Sequence, residues 1–458
     1  MRAAVGSGPV TLAKPRSRWL SWLWPKQLNA PWTLWVRGGA PSRGPDRLLC
    51  GAVLCLCAIG VVMVFSAGAM FAAKHYSDWT FFLKRELMYA GLGVVAFALA
   101  LRTDYVLYRR LTYPMLFAAV LLLASVLVFG SRAGGAIRWF RLGPLSFQPS
   151  ELAKFALVVY LAALLARKAE KVKQLWGGFL PPLIVTSILM AMLLKQPDLG
   201  TAAIFGFVAL AMLFVAGTRT SYIILSILLA APVVWKAIVG TPWRMRRMVA
   251  FLDPWAHRRG AGYQVVESQI SIGSGGLFGQ GLGQGRQKLF FLPEAHTDFI
   301  LAVVGEELGF LGVMAVLLLF CTLIWRGFVA AARARDAFGT YLAFGLTAVF
   351  GMQALINMAV VLGLVPTKGL TLPFVSYGGT SMVVSMFAAG VLGNISAKNP
   401  EPRRGESVLA GWKMALWPWG AGGNKRSDKG VRVVVETGRP KRKTRPALVN
   451  AEALGDAE

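Results

Sequence analysis

An all-α integral membrane protein of about ten transmembrane helices is the fold class that the sequence predicts, and three observations support it. The 458-residue chain is 56% hydrophobic and only 15% charged, whereas soluble domains average about 45–50% apolar and about 25% charged residues. The apolar residues form runs of roughly 17–25, the length needed to span a hydrocarbon core of about 30 Å. Lys and Arg gather between these runs and at both ends of the chain.

The apolar runs divide the chain into three regions. We expect helices at approximately 48–68, 86–101, 111–130, 151–166, 178–194, 200–217, 221–239, 299–325, 339–363 and 378–396. The basic stretch before the first run is too long and too polar for a cleavable leader, so the first helix is expected to stay in the membrane. The regions are a basic extension (1–46), a transmembrane domain (47–397) and a basic tail (398–458), which we expect to be disordered.

The distribution of basic residues predicts the orientation in the membrane. Cytoplasmic loops are enriched in Lys and Arg. The loops at 102–110, 167–173, 219 and 326–335 contain only slightly more Lys and Arg residues than the short loops on the opposite side. The flanks of the first and last helices decide the orientation, because they are basic and an even helix count places both termini on one side. We therefore predict cytoplasmic termini and a long extracytoplasmic loop, 240–298, between helices seven and eight.

Composition also excludes several classes of function. The formal net charge is +28, but the positive residues lie at the ends and in the loops, which favours a membrane surface over a nucleic-acid partner. The four cysteines lie in or beside apolar runs, so neither a disulfide framework nor a thiolate metal site is indicated. The three histidines are scattered, which gives no support to an all-histidine metal site.

The predicted extracytoplasmic loops are richer in positive charge than such loops usually are. Two interpretations stay open: nonspecific contact with anionic lipid headgroups, or a site for a lipid-attached pyrophosphate, which forked guanidinium groups bind well. The glycine-rich part of the 240–298 loop is either a flexible connection or a segment that approaches a ligand closely. The positively charged residues of the predicted extracytoplasmic loops include Arg138, Arg141, Arg244, Arg246, Arg247, Arg286, Lys288 and Lys368.

Charged residues inside predicted helices are a further signal. A charge near the bilayer centre costs about 2.5–3.5 kcal/mol or more, so such residues tend to face a cavity or a partner. Glu151 and Lys154 lie three residues apart on one helical face, where an ion pair is the simpler interpretation. Glu306 and Glu307 lie two turns into the eighth helix, and we expect at least one of them to line a polar interior.

Asp298 stands at the start of the eighth predicted helix. An aspartate there stabilises a helix by about 0.5–2 kcal/mol when it caps the free amides. The alternative is a general base at the outer face of the membrane, close to the glycine-rich loop. The residue chemistry alone favours the cap.

Several motifs, in order, resemble those of the SEDS glycosyltransferases over residues 45–397. They are FQPSELAK (147–154), QPDLGT (196–201), GQGLG (279–283) with Gln287 and Lys288, LPEAHTDFI (292–300), GEELG (305–309) and LPFVSYGGTS (372–381). The segment PTKGLTLP (366–373) is similar to the FtsW branch, which acts in cell division, rather than to the elongation branch. The basic head and tail match no part of the family pattern.

The resemblance implies a ten-helix SEDS fold and the polymerisation of lipid II. The acceptor's GlcNAc 4-hydroxyl would attack C1 of a MurNAc attached to undecaprenyl pyrophosphate and form an inverted, β-1,4 bond. The family's essential aspartate falls on Asp298, which shifts the interpretation from cap to catalytic residue. A second role is open, in which Asp298 holds a divalent cation, Mg²⁺ or Mn²⁺, on the pyrophosphate; no other cofactor is expected.

Substrate and partner residues follow from the same resemblance and from the charges described above. Lipid II and the lipid-linked glycan are the implied substrates, in the bacterial cytoplasmic membrane at the division septum. A class B penicillin-binding protein, which is a transpeptidase, is the implied partner, with further divisome proteins. The substrate-binding candidates are Arg138, Gln148, Glu151, Lys154, Arg246, Gln287, Lys288, Glu306, Lys368 and Ser376.

Two alternatives of other classes remain at this point. A protein of many helices with intramembrane charges could flip lipid II across the bilayer, although no repeated half or paired broken helices support a transporter. It could also be a divisome scaffold that recruits a transpeptidase through its helices and loops. A polymerisation assay with purified protein and lipid II separates these functions.

Overall fold

The computed structural model describes residues 44–133, 136–142, 145–286, 292–293 and 295–398. Almost all of the basic head and tail, together with Gln287 and Lys288, lie outside the described residues. The helices are α1 (Arg47–Tyr76), α2 (Phe81–Arg102), α3 (Val106–Arg110), α4 (Thr112–Phe129), α5 (Pro149–Arg167), α6 (Leu180–Lys195), α7 (Leu199–Val215), α8 (Thr220–Val239), α9 (Pro242–Leu252), α10 (Tyr263–Gly275), α11 (Ile300–Ala332), α12 (Ala337–Val361) and α13 (Thr380–Ala397). The strands are β1 (Ser131–Ala133), β2 (Ala136–Leu142) and β3 (Leu145–Phe147).

Each of the ten predicted helices coincides with a long helix of the structure. In the described part of the chain, eight helices are long and apolar enough to cross a membrane. The other two predicted spans are α2, which carries the charged run Lys84-Arg85-Glu86, and α7, which has 17 residues. The all-α membrane class is therefore confirmed, and the number of ten crossings stays a prediction.

Helix α5 lies in the centre of the bundle. Nearly all of its residues are buried, including both charged residues of its first two turns, and it packs against α4, α7 and α12. The helices around it approach closely where they carry glycine: a Cβ added at Gly390 in α13 would lie 2.5 Å from the carbonyl oxygen of Phe97 in α2. The central position of α5 brings Glu151 and Lys154 into the interior of the bundle.

The segment predicted as one extracytoplasmic loop, 240–298, contains two helices, α9 and α10. Both are too short to span a bilayer at 1.5 Å per residue, so a search for apolar runs does not find them. Helix α10 lies against α11 and α12, where Ser271 donates to the carbonyl of Ala302 (3.0 Å) and Ser268 to that of Val361 (2.8 Å). The antiparallel sheet β1–β2–β3, which precedes α5, was also not predicted.

Helix α11 is interrupted at Gly309, where φ is 67° and ψ is −164°. The glycine-rich segment that follows α10 lies against this break: the amides of Gln280 and Gly281 donate to the carbonyls of Glu306 (2.9 Å) and Glu307 (3.0 Å). These bonds satisfy carbonyls that the interruption would otherwise leave unpaired in the interior. A Cβ at position 309 would lie 2.3 Å from the amide nitrogen of Gly279, so only glycine fits this crossing.

Candidate active site

A cavity of about 1280 Å³ joins the sheet, the 240–298 segment and several helices. Helices α6, α7 and α8 form its apolar part. Along α8 the cavity extends from Ser226 to Ile238, which is about 18 Å at 1.5 Å per residue. Its polar lining includes Arg138, Gln148, Glu151, Asp198, Arg244, Arg247, Asp298, Gln353, Lys368 and Tyr377. Charged groups and a long apolar surface therefore share one space.

Asp298 lines this cavity just before α11. The helix begins at Ile300 and Phe299 occupies the N-cap position, so Asp298 is not the N-cap residue. The carboxylate also lies beside the 366–371 segment, because a Cβ added at Gly369 would be 3.4 Å from Asp298 Oδ2 and 4.0 Å from an Arg138 nitrogen. The geometry thus favours a role in the cavity over helix capping.

Asn357 of α12 holds the backbone around Asp298. Its Nδ2 donates to the carbonyl of Asp298 (2.8 Å) and to that of Leu370 (2.7 Å). The side chain is buried, and its Oδ1 has no hydrogen-bond partner in the structure. One amide group therefore fixes two segments that meet at the cavity, the one before α11 and the one before α13.

Three arginines lie close together at the polar end of the cavity. Burial lowers the pKa of Arg247. The nearby Asp298 carboxylate partly opposes this shift, and the positive charge of Arg138 adds to it. Burial likewise lowers the pKa of Arg244, with Arg138 adding to the effect. Arginine remains protonated despite such shifts, so these groups concentrate positive charge beside Asp298.

The hydrogen bonds of these arginines leave donors available for a ligand. Arg138 donates through Nε to the carbonyl of Gln196 (3.1 Å) and through a terminal nitrogen to that of Pro197. Arg244 donates to the carbonyl of Ala237 (2.9 Å), but its Nε is buried and has no hydrogen-bond partner among the described residues. A buried donor that is left unpaired is costly, which favours an anion bound in this part of the cavity.

Lys368 and the Glu151–Lys154 pair complete the charged set. Burial lowers the pKa of the Lys368 ammonium, which lines the same cavity. Lys154 Nζ lies 2.8 Å from Glu151 Oε1, and both side chains are almost fully buried. Glu151 lines the main cavity. Together with Lys154 it also lines a neighbouring space of about 20 Å³, large enough for one water molecule.

The family follows from comparison with known proteins. The family model described as cell cycle protein, which covers FtsW, RodA and SpoVE, matches residues 46–401. The chain belongs to the FtsW/RodA/SpoVE family. The resemblance to the SEDS glycosyltransferases that the motifs indicated is therefore confirmed, and the protein is an integral membrane protein.

Members of the FtsW/RodA/SpoVE family resemble the chain over most of their length. It is 47% identical to the probable peptidoglycan glycosyltransferase FtsW of Trichlorobacter lovleyi over 354 residues, 77% of this chain and 93% of that protein. It is 40% identical to stage V sporulation protein E of Bacillus subtilis, with 77% and 97% covered.

Two solved structures are also similar. One is a chain of a peptidoglycan synthase complex that coordinates polymerization and crosslinking (32% identity, TM-score 0.64, 77% and 97% covered). The other is RodA of Thermus thermophilus (29% identity, TM-score 0.59, 78% and 98% covered).

The structure of this family member brings together some of the predicted site residues and separates others. Arg138, Gln148, Glu151, Lys368 and Asp298 share the cavity. Lys154 lies next to it, paired with Glu151. Five other predicted ligands are placed elsewhere or lie outside the described residues, namely Arg246, Gln287, Lys288, Glu306 and Ser376.

The described residues among these five have other surroundings. Arg246 is exposed on α9 and does not line the cavity. Glu306 is buried against the glycine-rich segment, where it accepts from the amide of Arg286 (2.6 Å) and from Ser271 (3.3 Å). The Ser376 hydroxyl is buried and accepts from the amide of Leu372 (2.8 Å). Their role as substrate ligands stays a prediction.

Sequence reasoning missed three functional candidates of this FtsW/RodA/SpoVE protein. Arg244 and Arg247 were noted only as part of a basic group, and their position in the cavity depends on the face of a helix that was not predicted. Asn357 was not noted at all, although a usable signal existed: Gln353 and Asn357 are polar, lie four apart on one face, and interrupt an apolar run. Polar residues in such runs tend to face the protein interior.

Proposed function

We propose that this protein is a peptidoglycan glycosyltransferase that polymerises lipid II into β-1,4 glycan strands during cell division. The supporting observation is that the cavity combines a carboxylate, Asp298, with Arg138, Arg244 and Arg247 and with a long apolar surface. A lipid-linked sugar pyrophosphate needs these three features, namely a base, an anion site and a surface for an isoprenoid chain. The names of the relatives support the same activity.

The arginines provide the means to hold the pyrophosphate and to stabilise it as a leaving group. Guanidinium groups bind phosphate oxygens with two parallel hydrogen bonds, and their attraction is strengthened where water is excluded. Arg247 lies within electrostatic range of both Asp298 and Arg138, so a pyrophosphate bound there would be close to the carboxylate. The apolar part of the cavity along α8 would receive the first isoprenoid units.

Asp298 would act as the general base. Its carboxylate takes the proton from the acceptor's GlcNAc 4-hydroxyl while that oxygen attacks C1 of the donor MurNAc. The bond from C1 to the pyrophosphate oxygen breaks, and undecaprenyl pyrophosphate leaves with the electron pair. Attack opposite the leaving group inverts C1 and gives the β-1,4 bond.

The alternative role for Asp298 is to hold a divalent cation on the pyrophosphate. Within the described residues, no three His, Cys, Asp or Glu side chains converge on a metal-sized site. Mg²⁺ in phosphate chemistry is often bound by one or two carboxylates together with the substrate's own oxygens. Asp298 suits that arrangement as well, so the test of the function must separate base from cation ligand.

The setting of this reaction is part of the same proposal. We expect cytoplasmic termini, an extracytoplasmic 240–298 segment and a location at the division septum, with a class B penicillin-binding protein and other divisome proteins as partners. Single cysteines in a cysteine-free background test the topology in intact cells. An impermeant reagent should modify position 284 and spare the tail; the reverse pattern contradicts the orientation.

The test of the function is Asp298→Asn in the purified protein with its transpeptidase partner and lipid II. Loss of a general base typically costs a factor of about 10²–10⁴, so we expect polymer formation to fall by at least 100-fold with unchanged thermal unfolding. Activity within about threefold of the parent would contradict the catalytic role. Recovery with added Mn²⁺ or Mg²⁺ would identify a cation ligand, and lipid II translocation without polymer from the parent would favour a flippase.

A further inference from the structure

Helix α9 presents two different faces. Its inner face contributes Trp243, Arg244, Arg247 and Met248 to the cavity lining. Its outer face carries Met245, Val249 and Leu252, all exposed, with Leu252 at 76% exposure. The outer residues follow the spacing i, i+4 and i+7, which forms one apolar stripe on a helix. Such a stripe normally packs against a neighbour, and no described residue covers this one.

Arg246 lies beside the apolar stripe and not in the cavity. It is one turn from Val249 (i, i+3), so the two side chains are neighbours on the helix surface. Arg246 is exposed, and no hydrogen bond, ion pair or ring contact joins it to the described part of the chain. The outer face of α9 is thus apolar with a positive group at its edge.

The position of α9 in the chain indicates what covers this face. Only Gly240 and Thr241 separate α9 from α8, which is long and apolar enough to cross a membrane. The last turns of α8 expose Trp235 and Val239, and Trp255 is exposed just beyond α9. Tryptophan is enriched at the boundary between membrane and water. The exposed apolar surface of α8 therefore continues into the outer face of α9.

We propose that α9 lies in the plane of the membrane interface, with its apolar stripe at the acyl boundary and Arg246 on the phosphate of an anionic phospholipid. An 11-residue helix is about 16 Å long, too short to cross a bilayer and suitable for lying along its surface. Its three arginines are accompanied by no acidic residue. The inner arginines serve the cavity, and Arg246 serves the lipid headgroups.

This inference separates Arg246 from the substrate ligands, where the sequence alone had placed it. It does not depend on the glycosyltransferase activity, and its test uses no polymerisation assay. One arginine near an anionic surface corresponds to roughly a fivefold preference for anionic lipid. The probe is therefore phosphatidylglycerol compared with phosphatidylcholine, in vesicles that contain the full chain.

The test places a fluorescent label on single cysteines in protein whose native cysteines are replaced by alanine. Position 249 reports the apolar stripe, and position 260, exposed on the connection after α9, is the matched control. Phospholipids brominated near the top of their acyl chains quench labels that reach the interface. We expect strong quenching at 249 and weak quenching at 260. Equal quenching at the two positions would overturn the interfacial placement.

The headgroup contact has its own control. At position 249, brominated phosphatidylglycerol should quench about fivefold more effectively than brominated phosphatidylcholine, and Arg246→Gln should remove this preference while quenching by phosphatidylcholine persists. A parent protein that shows no preference would overturn the phosphate contact. A tenfold loss of lipid II binding in phosphatidylcholine vesicles for Arg246→Gln would overturn the headgroup assignment and return Arg246 to the substrate site.

Discussion

Replacing Asn357 with alanine tests whether the position of Asp298 depends on one buried amide. The substitution removes two hydrogen bonds, to the carbonyls of Asp298 (2.8 Å) and Leu370 (2.7 Å). A hydrogen bond contributes about 0.5–1.5 kcal/mol in proteins, and interhelical ones in membranes average about 0.6 kcal/mol. The loss of stability should thus be about 1–3 kcal/mol, which leaves the protein folded.

The effect on the reaction should be larger than the effect on stability. A misplacement of a catalytic group by about 1 Å costs on the order of 10²-fold in rate, and Asn357→Ala frees the backbone next to the carboxylate. We expect the polymerisation rate at saturating lipid II to fall about 10- to 100-fold. The half-saturating lipid II concentration should change by less than about threefold, because the arginines that would bind the pyrophosphate are unaltered.

Asn394, near the C-terminal end of α13, provides a matched control. Its side chain is also buried and makes two backbone contacts, donating to the carbonyl of Leu101 (2.7 Å) and accepting from the amide of Tyr105 (3.2 Å). Asn394→Ala should lower the unfolding temperature about as much as Asn357→Ala and leave the rate nearly unchanged. Equal rates in the two variants would refute the positioning role and leave only a stability effect.

Three further predictions concern the charged groups. Arg247→Gln should raise the half-saturating lipid II concentration at least tenfold, measured by titration. Lys154→Met leaves Glu151 buried and unpaired, which should cost about 3–5 kcal/mol in unfolding experiments, whereas the charge-swapped double variant should retain activity if the pair only shapes the cavity floor. Burial lowers the pKa of Lys368, so its ammonium loses its proton at a lower pH than the ammonium of an ordinary lysine. As the solution is made more alkaline, lipid II affinity should begin to fall at that lower pH. Lys368→Arg should move that fall to higher pH.

The membrane-spanning part of the fold was predictable because its signal is local. A run of about 20 apolar residues must form a helix in lipid, where every backbone amide and carbonyl needs an internal partner. The Glu151–Lys154 ion pair followed from its i, i+3 spacing, and the structure places the two groups 2.8 Å apart. Asp298 was selected by the family motif, since its residue chemistry alone favoured a helix cap.

The arginine cluster shows where the sequence was insufficient. As long as their segment was treated as a loop, nothing in the sequence distinguished Arg244 and Arg247 from Arg246, which alone was chosen as a substrate ligand. Helix α9 makes them different, because 3.6 residues per turn place 244 and 247 on one face and 246 on another. The helix itself has only 11 residues and begins at Pro242, so neither length nor apolar content revealed it.

The two glutamates of α11 illustrate a second limit. Burial of Glu306 and Glu307 agrees with the expectation that charged residues deep in a helix face a polar interior. Their surroundings come from the break at Gly309 and from a segment about 25 residues earlier, whose amides donate to both carboxylates. Contacts of this kind depend on tertiary structure, and no local pattern encodes them.

Different parts of the structure position the proposed base, Asp298, and the arginines of the proposed site. The two kinds of group also need different accuracy of placement. Asp298 directly precedes α11. Ser271 of α10 donates to the carbonyl of Ala302 in α11, and Asn357 of α12 donates to the carbonyl of Asp298 itself, so the backbone that carries the carboxylate is fixed to the packed interior. Arg247 belongs to α9, and within the described residues one hydrogen bond joins it to the rest of the site, a donation to the carbonyl of Thr367 (3.3 Å). A general base acts only within about 2.6–3.2 Å of the proton it takes, whereas a cation attracts a pyrophosphate over longer distances. The group that needs the more accurate placement is therefore the one that the interior of the bundle holds.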